Sequence, residues 1–120
     1  MTEKFEQEAL DKFGKAFIRK ARDLTILEEF RRIEGEGKGV ISKKIYENLK
    51  DFSSEQRLAI KKLVVDAIDG ALDNFLWLLE ESDEFELVAY HEDKTLPLKN
   101  ISDGLSVDYW NFVDSELLTS

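Results

Sequence analysis

The feature that most constrains this chain is one long apolar stretch without proline, residues 53–81. It opens on a capping-box pattern, because Ser53 is followed three residues later by Gln56, whose side chain can reach back to the start of a helix. Apolar residues then recur at the three- and four-residue spacing of an α-helix, which places them on one face. Additional apolar residues beside them make this face wider than an ordinary amphipathic stripe. The residues predicted to face inward are Ile60, Leu63, Val64, Ala67, Ile68, Ala71, Leu72, Phe75, Leu78 and Leu79.

This stretch is predicted to form a single helix that other elements cover over most of its circumference. Gly70 lies in its middle, where a glycine costs about 1 kcal/mol relative to alanine. A kink or the close approach of another backbone would explain the glycine. A break near Gly70 is the alternative to one continuous helix.

The opposite side of the predicted helix carries a narrow charged strip. Asp66, Asp69 and Asp73 are three and four residues apart, so they are neighbours on a helix and repel each other by a few tenths of a kcal/mol. Trp77 falls at the margin of the strip, and an exposed tryptophan between Asp73 and Glu80 resembles an interface anchor with an acidic rim. A solvated acidic face and a divalent-metal site are the alternatives. The predicted partner-binding residues are Asp66, Asp69, Asp73, Trp77 and Glu80.

Three shorter helices are predicted before the long one, at residues 3–23, from Thr25 to about Ile33, and at about 40–51. A second capping-box pattern, Thr25 with Glu28, opens the middle one after a boundary at residues 23–25. The glycines between the second and third helices lack the spacing of a phosphate-binding loop, so a plain connection is predicted. The first helix also carries a basic stripe opposite its apolar face. The inward residues are Leu10, Phe13, Phe17, Ala21, Leu24, Leu27, Phe30, Ile41, Ile45, Leu49 and Phe52, and the stripe is Lys12, Lys15, Arg19 and Arg22.

After the long helix the pattern changes to that of a hairpin. Residues 84–91 are rich in alternating and aromatic residues, and residues 96–101 can pair back as an edge strand because Pro97 cannot donate to a ladder. A final helix is predicted at residues 107–118, with Trp110, Val113 and Leu117 inward. The predicted fold class is therefore α+β, mainly helical: four N-terminal helices, a small antiparallel hairpin and a short C-terminal helix.

Length and composition predict one domain over residues 1–120, with enough apolar residues for a core that needs no metal or disulfide. The chain has no cysteine, no visible signal peptide and no apolar run near the roughly 20 residues of a membrane span. We therefore expect a soluble, cytoplasmic protein without a membrane partner.

Charge is distributed unevenly along the chain. Residues 1–62 hold 15 Lys/Arg and 12 Asp/Glu, whereas residues 63–120 hold 2 Lys/Arg and 14 Asp/Glu. This asymmetry indicates an electrostatic partner, or a basic half that packs over the acidic one. A net charge of -9 opposes approach to a polyanion, so no nucleic-acid partner is expected.

No catalytic residues, resident metal or cofactor are predicted. The single histidine, His91, and Glu92 are adjacent in a strand and point to opposite faces, and no hydrolase, zinc-protease or EF-hand motif is present.

Two short segments carry a resemblance to known proteins: DGALDNFLWLLEE at residues 69–81 and ISDGLSVDYW at residues 101–110. An apolar helix ending in Trp-Leu-Leu-Glu-Glu, followed by a hairpin and an aromatic helix, is similar to small uncharacterised bacterial domains. Some proteins of this size and acidity are immunity proteins, which block a toxin made by the same or a neighbouring cell. The resemblance covers about a fifth of the chain and assigns no functional residue.

The leading hypothesis is a non-catalytic binding protein of the bacterial cytoplasm, of the immunity-inhibitor type, that occludes a basic partner protein. Steering by the acidic surface would raise the association rate, and apolar anchors would hold the partner. Changing Asp66, Asp69 and Asp73 to asparagine is then expected to weaken binding with little loss of stability. The alternative is a structural or regulatory protein that forms homo-oligomers, and a divalent-metal-dependent enzyme is a third hypothesis.

Overall fold

The computed structural model describes the backbone of residues 4–119 and the side chains of residues 4–114. It confirms the predicted class, a mainly helical α+β fold. The helices are α1 (Lys4–Ala16), α2 (Leu24–Ile33), α3 (Val40–Leu49), α4 (Ser54–Glu81) and α5 (Leu105–Thr119). A π-helical segment (Phe17–Asp23) joins α1 to α2, and the strands are β1 (Val88–His91) and β2 (Lys94–Pro97), followed by a 3₁₀ turn (Leu98–Asn100).

The chain forms two compact units. The terminal unit contains Met1–Arg19 and Ala71–Ser120, and the middle unit contains Lys20–Gly70. The backbone passes between them inside the π-helical segment and again between Gly70 and Ala71. If the two units unfold together, they form one domain, as the sequence predicts. Whether they do is not tested by the fold itself, so the single domain stays a prediction.

Helix α4 begins as the sequence predicts. The backbone N–H of Gln56 donates to Ser53 Oγ at 3.1 Å, and the backbone N–H of Ser53 donates to Gln56 Oε1 at 2.8 Å. This reciprocal pair is a capping box, and it satisfies two backbone donors that a helix start otherwise leaves free. The helix then runs without a break through Gly70, where a Cβ would meet no atom within 4 Å outside the helix's own backbone. The alternative of a break is therefore wrong, and no close contact outside the helix accounts for this glycine.

The core of the terminal unit is built from α1, α4, α5 and the segment after the hairpin. Its buried residues are Leu10, Ile18, Leu76, Leu79, Leu98, Ile101, Leu105, Tyr109 and Val113. Helices α1 and α5 pack closely, because a Cβ at Gly14 would lie only 2.5 Å from the Phe112 ring. Val113 faces inward as predicted, Trp110 is exposed instead, and the side chain of Leu117 lies outside the described residues.

The buried face of α4 agrees with the predicted one only in part. In the terminal unit Leu76 and Leu79 are buried and Leu72 is partly buried, whereas Phe75 and Leu78 are exposed. At about 100° per residue, the centres of these two sets are about a quarter turn apart around the helix. Because apolar residues occur on nearly every side of α4, their periodicity could not identify the side that the core covers.

The predicted boundary at residues 23–25 is also wrong, because the chain stays helical there. Thr25 Oγ donates to the backbone carbonyl of Ala21 at 2.6 Å, within the helical path, and forms no capping box with Glu28. The buried positions in this part of the chain recur every four residues, at Leu10, Gly14, Ile18 and Arg22. A four-residue repeat drifts about 40° per step around a regular α-helix. The wider π-helical turns reduce that drift and keep the repeat on one side.

The middle unit contains α2, α3 and the first part of α4. Among its residues, Ile33 is the buried large apolar one, and several others are half-buried. Six residues predicted to face inward are exposed: Leu24, Leu27, Ile41, Phe52, Leu63 and Ala67. The three helical segments give this unit a thin core, so much of its apolar surface stays in contact with water.

The predicted hairpin is present, but both strands are shorter than predicted, and the second begins at Lys94 rather than at Leu96. Strand β1 pairs antiparallel with β2, with His91 opposite Lys94 and Val88 opposite Pro97. The two residues between the strands, Glu92 and Asp93, have positive φ values of 49° and 66°, as a type I′ turn requires. None of the helices in the described part of the chain is long and apolar enough to span a membrane.

Candidate functional site

The five predicted partner-binding residues do not form one exposed strip. Asp66 is exposed, and so is Trp77, at 55% of its surface. Asp73 and Glu80 are half-buried, and Asp69 is only 7% exposed. The helical spacing is as predicted, but other parts of the chain cover the middle of the strip. The partner-binding role stays a prediction, and each residue must be considered by its own contacts.

Asp69 forms a buried ion pair with Arg22 within the middle unit. Arg22 Nε donates to Asp69 Oδ1 at 2.6 Å, and Arg22 Nη2 donates to Asp69 Oδ2 at 3.2 Å. Arg22 also donates to Asp23 Oδ1 at 3.0 Å. The sequence analysis predicted an exposed basic stripe with Arg22 and an exposed acidic strip with Asp69. Both side chains are buried instead, and their pair is a contact between the basic and the acidic part of the chain, the alternative that the charge distribution left open. A buried, bidentate carboxylate cannot serve as a contact for an external partner without breaking the pair.

Asp73 and Glu80 of α4 accept hydrogen bonds from the start of α5. Asp73 accepts hydrogen bonds from Ser106 Oγ and, at 3.2 Å, from Trp110 Nε1. Glu80 Oε2 accepts the backbone N–H of Leu105, the first residue of α5, at 3.3 Å. A carboxylate at this place satisfies a free donor and interacts favourably with the positive end of the helix dipole. Both residues therefore have a structural use that the sequence did not indicate.

The metal alternative receives no support from the geometry. Asp69 is occupied by Arg22, while Asp73 is bonded to α5. Within the described residues, no group of three or more histidine, cysteine, aspartate or glutamate side chains is placed to hold a metal ion.

The terminal unit instead exposes large apolar side chains beside acidic ones. On α4, Phe75 is 49% exposed and Leu78 is 53% exposed, in addition to Trp77. Just beyond the helix, Phe85 is 58% exposed. The backbone there is turned by Ser82, whose Oγ accepts the N–H groups of Glu84 and Phe85 at 2.9 and 3.0 Å. Sequence reasoning missed Phe75 and Leu78 as surface residues because it placed them in the core.

The charged side chains of this segment itself have one sign, and the cation that contacts it is Lys99, whose Nζ donates to the Ser82 carbonyl at 3.2 Å. Residues 71–86 contain six Asp/Glu and no Lys/Arg. Among the ion pairs of the described side chains, none joins a Lys or Arg to an acid in this segment. The terminal unit as a whole holds 16 Asp/Glu and six Lys/Arg, a net charge of -10. We define the acidic–apolar surface as the exposed residues Phe75, Trp77, Leu78, Glu81, Asp83, Glu84, Phe85 and Glu86.

In comparisons with known proteins, no family model, curated protein or solved structure matches the chain. The resemblance to immunity proteins therefore stays a prediction.

Proposed function

We propose that this chain is a non-catalytic binding protein of the bacterial cytoplasm that occludes a basic protein partner, as an immunity-type inhibitor does. The observation that carries the proposal is the acidic–apolar surface, where four large apolar side chains are exposed within a run of acids that has no basic residue. Phe75 and Leu78 are three residues apart on α4 and therefore neighbours on the helix, and exposed apolar side chains with a polar rim are typical of interaction sites.

Each part of the surface supplies a different component of binding. Fully burying a large apolar side chain is worth about 1.5–3 kcal/mol. Because Phe75, Trp77 and Leu78 are already about half buried, a partner would gain roughly half of that from each. The acids contribute mainly to the association rate and to the choice of a basic partner, since exposed charges are screened by salt.

The structure also changes which variants test the proposal. Asp69 should be left intact because of its pair with Arg22, and Asp73 and Glu80 should be left intact because they hold α5. Phe75→Ser with Leu78→Ser removes apolar anchors, and Glu81→Gln with Glu84→Gln removes rim charge. Leu63→Ser is the matched control, because Leu63 lies on the same helix and is 68% exposed outside the surface.

The experiment is affinity capture from a lysate of the source cell with the tagged wild-type protein and these variants, at low and high salt. A basic protein retained by the wild type and by Leu63→Ser, but lost with either double variant, is the expected result. Inhibition of that protein's activity by the purified chain would then establish the inhibitor role. Equal capture by all variants, or an acidic dominant partner, would refute the assignment of this surface.

Self-association is the second candidate, favoured by the uneven distribution of charge. Residues 1–62 carry a net charge of +3 and residues 63–120 a net charge of -12, so unlike halves of two copies attract each other. Light scattering behind size exclusion, at low and high salt, separates the two candidates. A dimer that dissociates in salt supports self-association, and a monomer at all salt concentrations removes it.

A further inference from the structure

The middle unit has an apolar groove between α2 and the first part of α4. Its volume is about 250 Å³, and we define the basic groove as the residues that line it: Phe30, Leu58, Lys61, Lys62 and Val65. Leu58, Lys62 and Val65 are four and three residues apart, so they share one side of α4. Leu58 is 53% exposed, so the groove opens to solvent. It is smaller than the roughly 300 Å³ of typical ligand pockets, and it suits a single side chain of a protein partner.

The charge at the basic groove is positive. Glu34 is the carboxylate that pairs with its cations, since Glu34 Oε1 lies 3.0 Å from Lys61 Nζ and 3.4 Å from the neighbouring Arg57 Nε. Lys62 is exposed and has no ion pair with any described side chain. Asp66, the next acid along α4, does not line the groove. Three cations therefore meet one carboxylate, and the groove is complementary to an apolar side chain with acidic neighbours.

The acidic–apolar surface of the same chain contains such a side chain. Phe85 is 58% exposed, the highest value among the large apolar residues of that surface, and it lies between the exposed Glu84 and Glu86. It also lies outside α4, which ends at Glu81. A helix with its side chains is about 10–12 Å wide, so a groove of this size cannot take a whole helix. A single aromatic side chain from a non-helical segment can enter it.

We propose that the basic groove binds the acidic–apolar surface of a second copy of this chain. Phe85 of one copy enters the groove of the next, and its two neighbouring glutamates face Lys61 and Lys62. The contact joins two different surfaces, so it is heterologous, and copies can continue to add unless a ring closes. This inference specifies the self-association candidate of the proposed function. It also makes the second copy a competitor of a basic partner, because both occupy the acidic–apolar surface.

Sedimentation equilibrium of the full chain tests the proposal. In low salt, from about 10 to about 500 µM protein, we expect the average mass to rise with concentration, with a Kd on the order of 100 µM. In about 0.5 M NaCl the Kd should increase about fivefold, because salt screens exposed charges. A mass that stays at the monomer value across the low-salt series would overturn the proposal.

Two variants identify the surfaces that meet. Leu58→Ser with Lys62→Glu removes the exposed apolar wall of the basic groove and reverses its unpaired charge, whereas Phe85→Ser removes the side chain that enters it. Each variant alone should stay monomeric. An equimolar mixture of the two should form a dimer that cannot extend, because one variant retains Phe85 and the other retains the groove. A mixture that stays monomeric, or a variant that associates as the wild type does, would contradict the proposed contact.

Matched controls separate this contact from folding and from partner binding. Leu63→Ser changes an exposed residue of α4 that does not line the basic groove, so it should associate as the wild type does. All the replaced side chains are exposed, and circular dichroism checks that each variant keeps its helix content. The groove variant keeps the acidic–apolar surface and should still capture a basic partner. Capture of that partner by a wild type that stays monomeric overturns only the groove contact, whereas self-association without a basic partner overturns only the inhibitor proposal.

Discussion

Replacing Asp69 by asparagine should destabilise the middle unit strongly, although the sequence alone predicts a mild effect. The Asp69 side chain is 10% exposed and that of Arg22 is 11% exposed, and two hydrogen bonds of 2.6 and 3.2 Å join them. Removing one member of a buried ion pair typically costs about 3–5 kcal/mol, because the remaining charge is left buried and uncompensated. Asp23 still contacts Arg22, so we expect a loss at the lower end, about 3 kcal/mol.

Urea unfolding followed by circular dichroism measures this loss. With an m value of about 1.5 kcal/mol/M, 3 kcal/mol lowers the midpoint by about 2 M. Asp66→Asn is the matched control, because Asp66 lies three residues earlier on α4, is exposed, and should change stability by less than about 0.5 kcal/mol. Arg22→Met combined with Asp69→Leu should recover most of the loss, since apolar replacement of a whole buried pair is often neutral. Equal midpoints for Asp69→Asn and Asp66→Asn would refute this reasoning.

Three further predictions follow from other parts of the chain. Gly70→Ala should raise the urea midpoint by the equivalent of about 0.5–1 kcal/mol, because the new Cβ meets open space. Gly14→Ala should lower the urea midpoint by the equivalent of about 1–3 kcal/mol, because the new Cβ would collide with the Phe112 ring. The hydrogen bond from Lys61, with Arg57 nearby, holds the pKa of Glu34 below its usual value. The wild type should therefore be more stable than Glu34→Gln above about pH 4.5, and it should lose this advantage as the pH falls through the lowered pKa. Carboxyl NMR titration measures the pKa. Amide hydrogen exchange should show openings of lower free energy in the middle unit than in the core of the terminal unit, because few of its apolar residues are buried.

Local signals in the sequence predicted the elements well. The Ser53–Gln56 capping box marks the true start of α4, and the period-two pattern located the hairpin. Thr25 shows the limit of such signals. Thr25 and Glu28 have the spacing of a capping box, but the Thr25 hydroxyl instead donates to a backbone carbonyl within a continuing helix. A capping pattern specifies a helix start only where the preceding backbone leaves the helical path, and the π-helical segment keeps it helical.

The candidate site was harder to predict because it depends on contacts distant in sequence. Asp69 is 47 residues from Arg22, and Asp73 is 33 residues from Ser106, so no local pattern reports either contact. On α4 the pattern predicted one wide apolar side, and only contacts with the rest of the terminal unit decide that Leu76 is covered and Phe75 is not. The sequence does signal the acidic–apolar surface in another way, since residues 71–86 combine several large apolar residues with six acids and no base.

The distribution of ion pairs supports the proposal that the acidic–apolar surface binds a basic partner. In the middle unit, carboxylates meet cations within the unit: Asp69 pairs with Arg22, and Glu34 with Lys61 at 3.0 Å. In the terminal unit, Asp73 and Glu80 are the acids of residues 71–86 that accept hydrogen bonds. Their donors belong to α5 and are neutral, so the negative charge of these two side chains is not compensated. Like charges at this density repel one another, and the proposed basic partner would relieve that repulsion while it covers Phe75 and Leu78. Electrostatics and apolar burial therefore favour the same occupant for this surface, a basic protein with apolar contacts of its own.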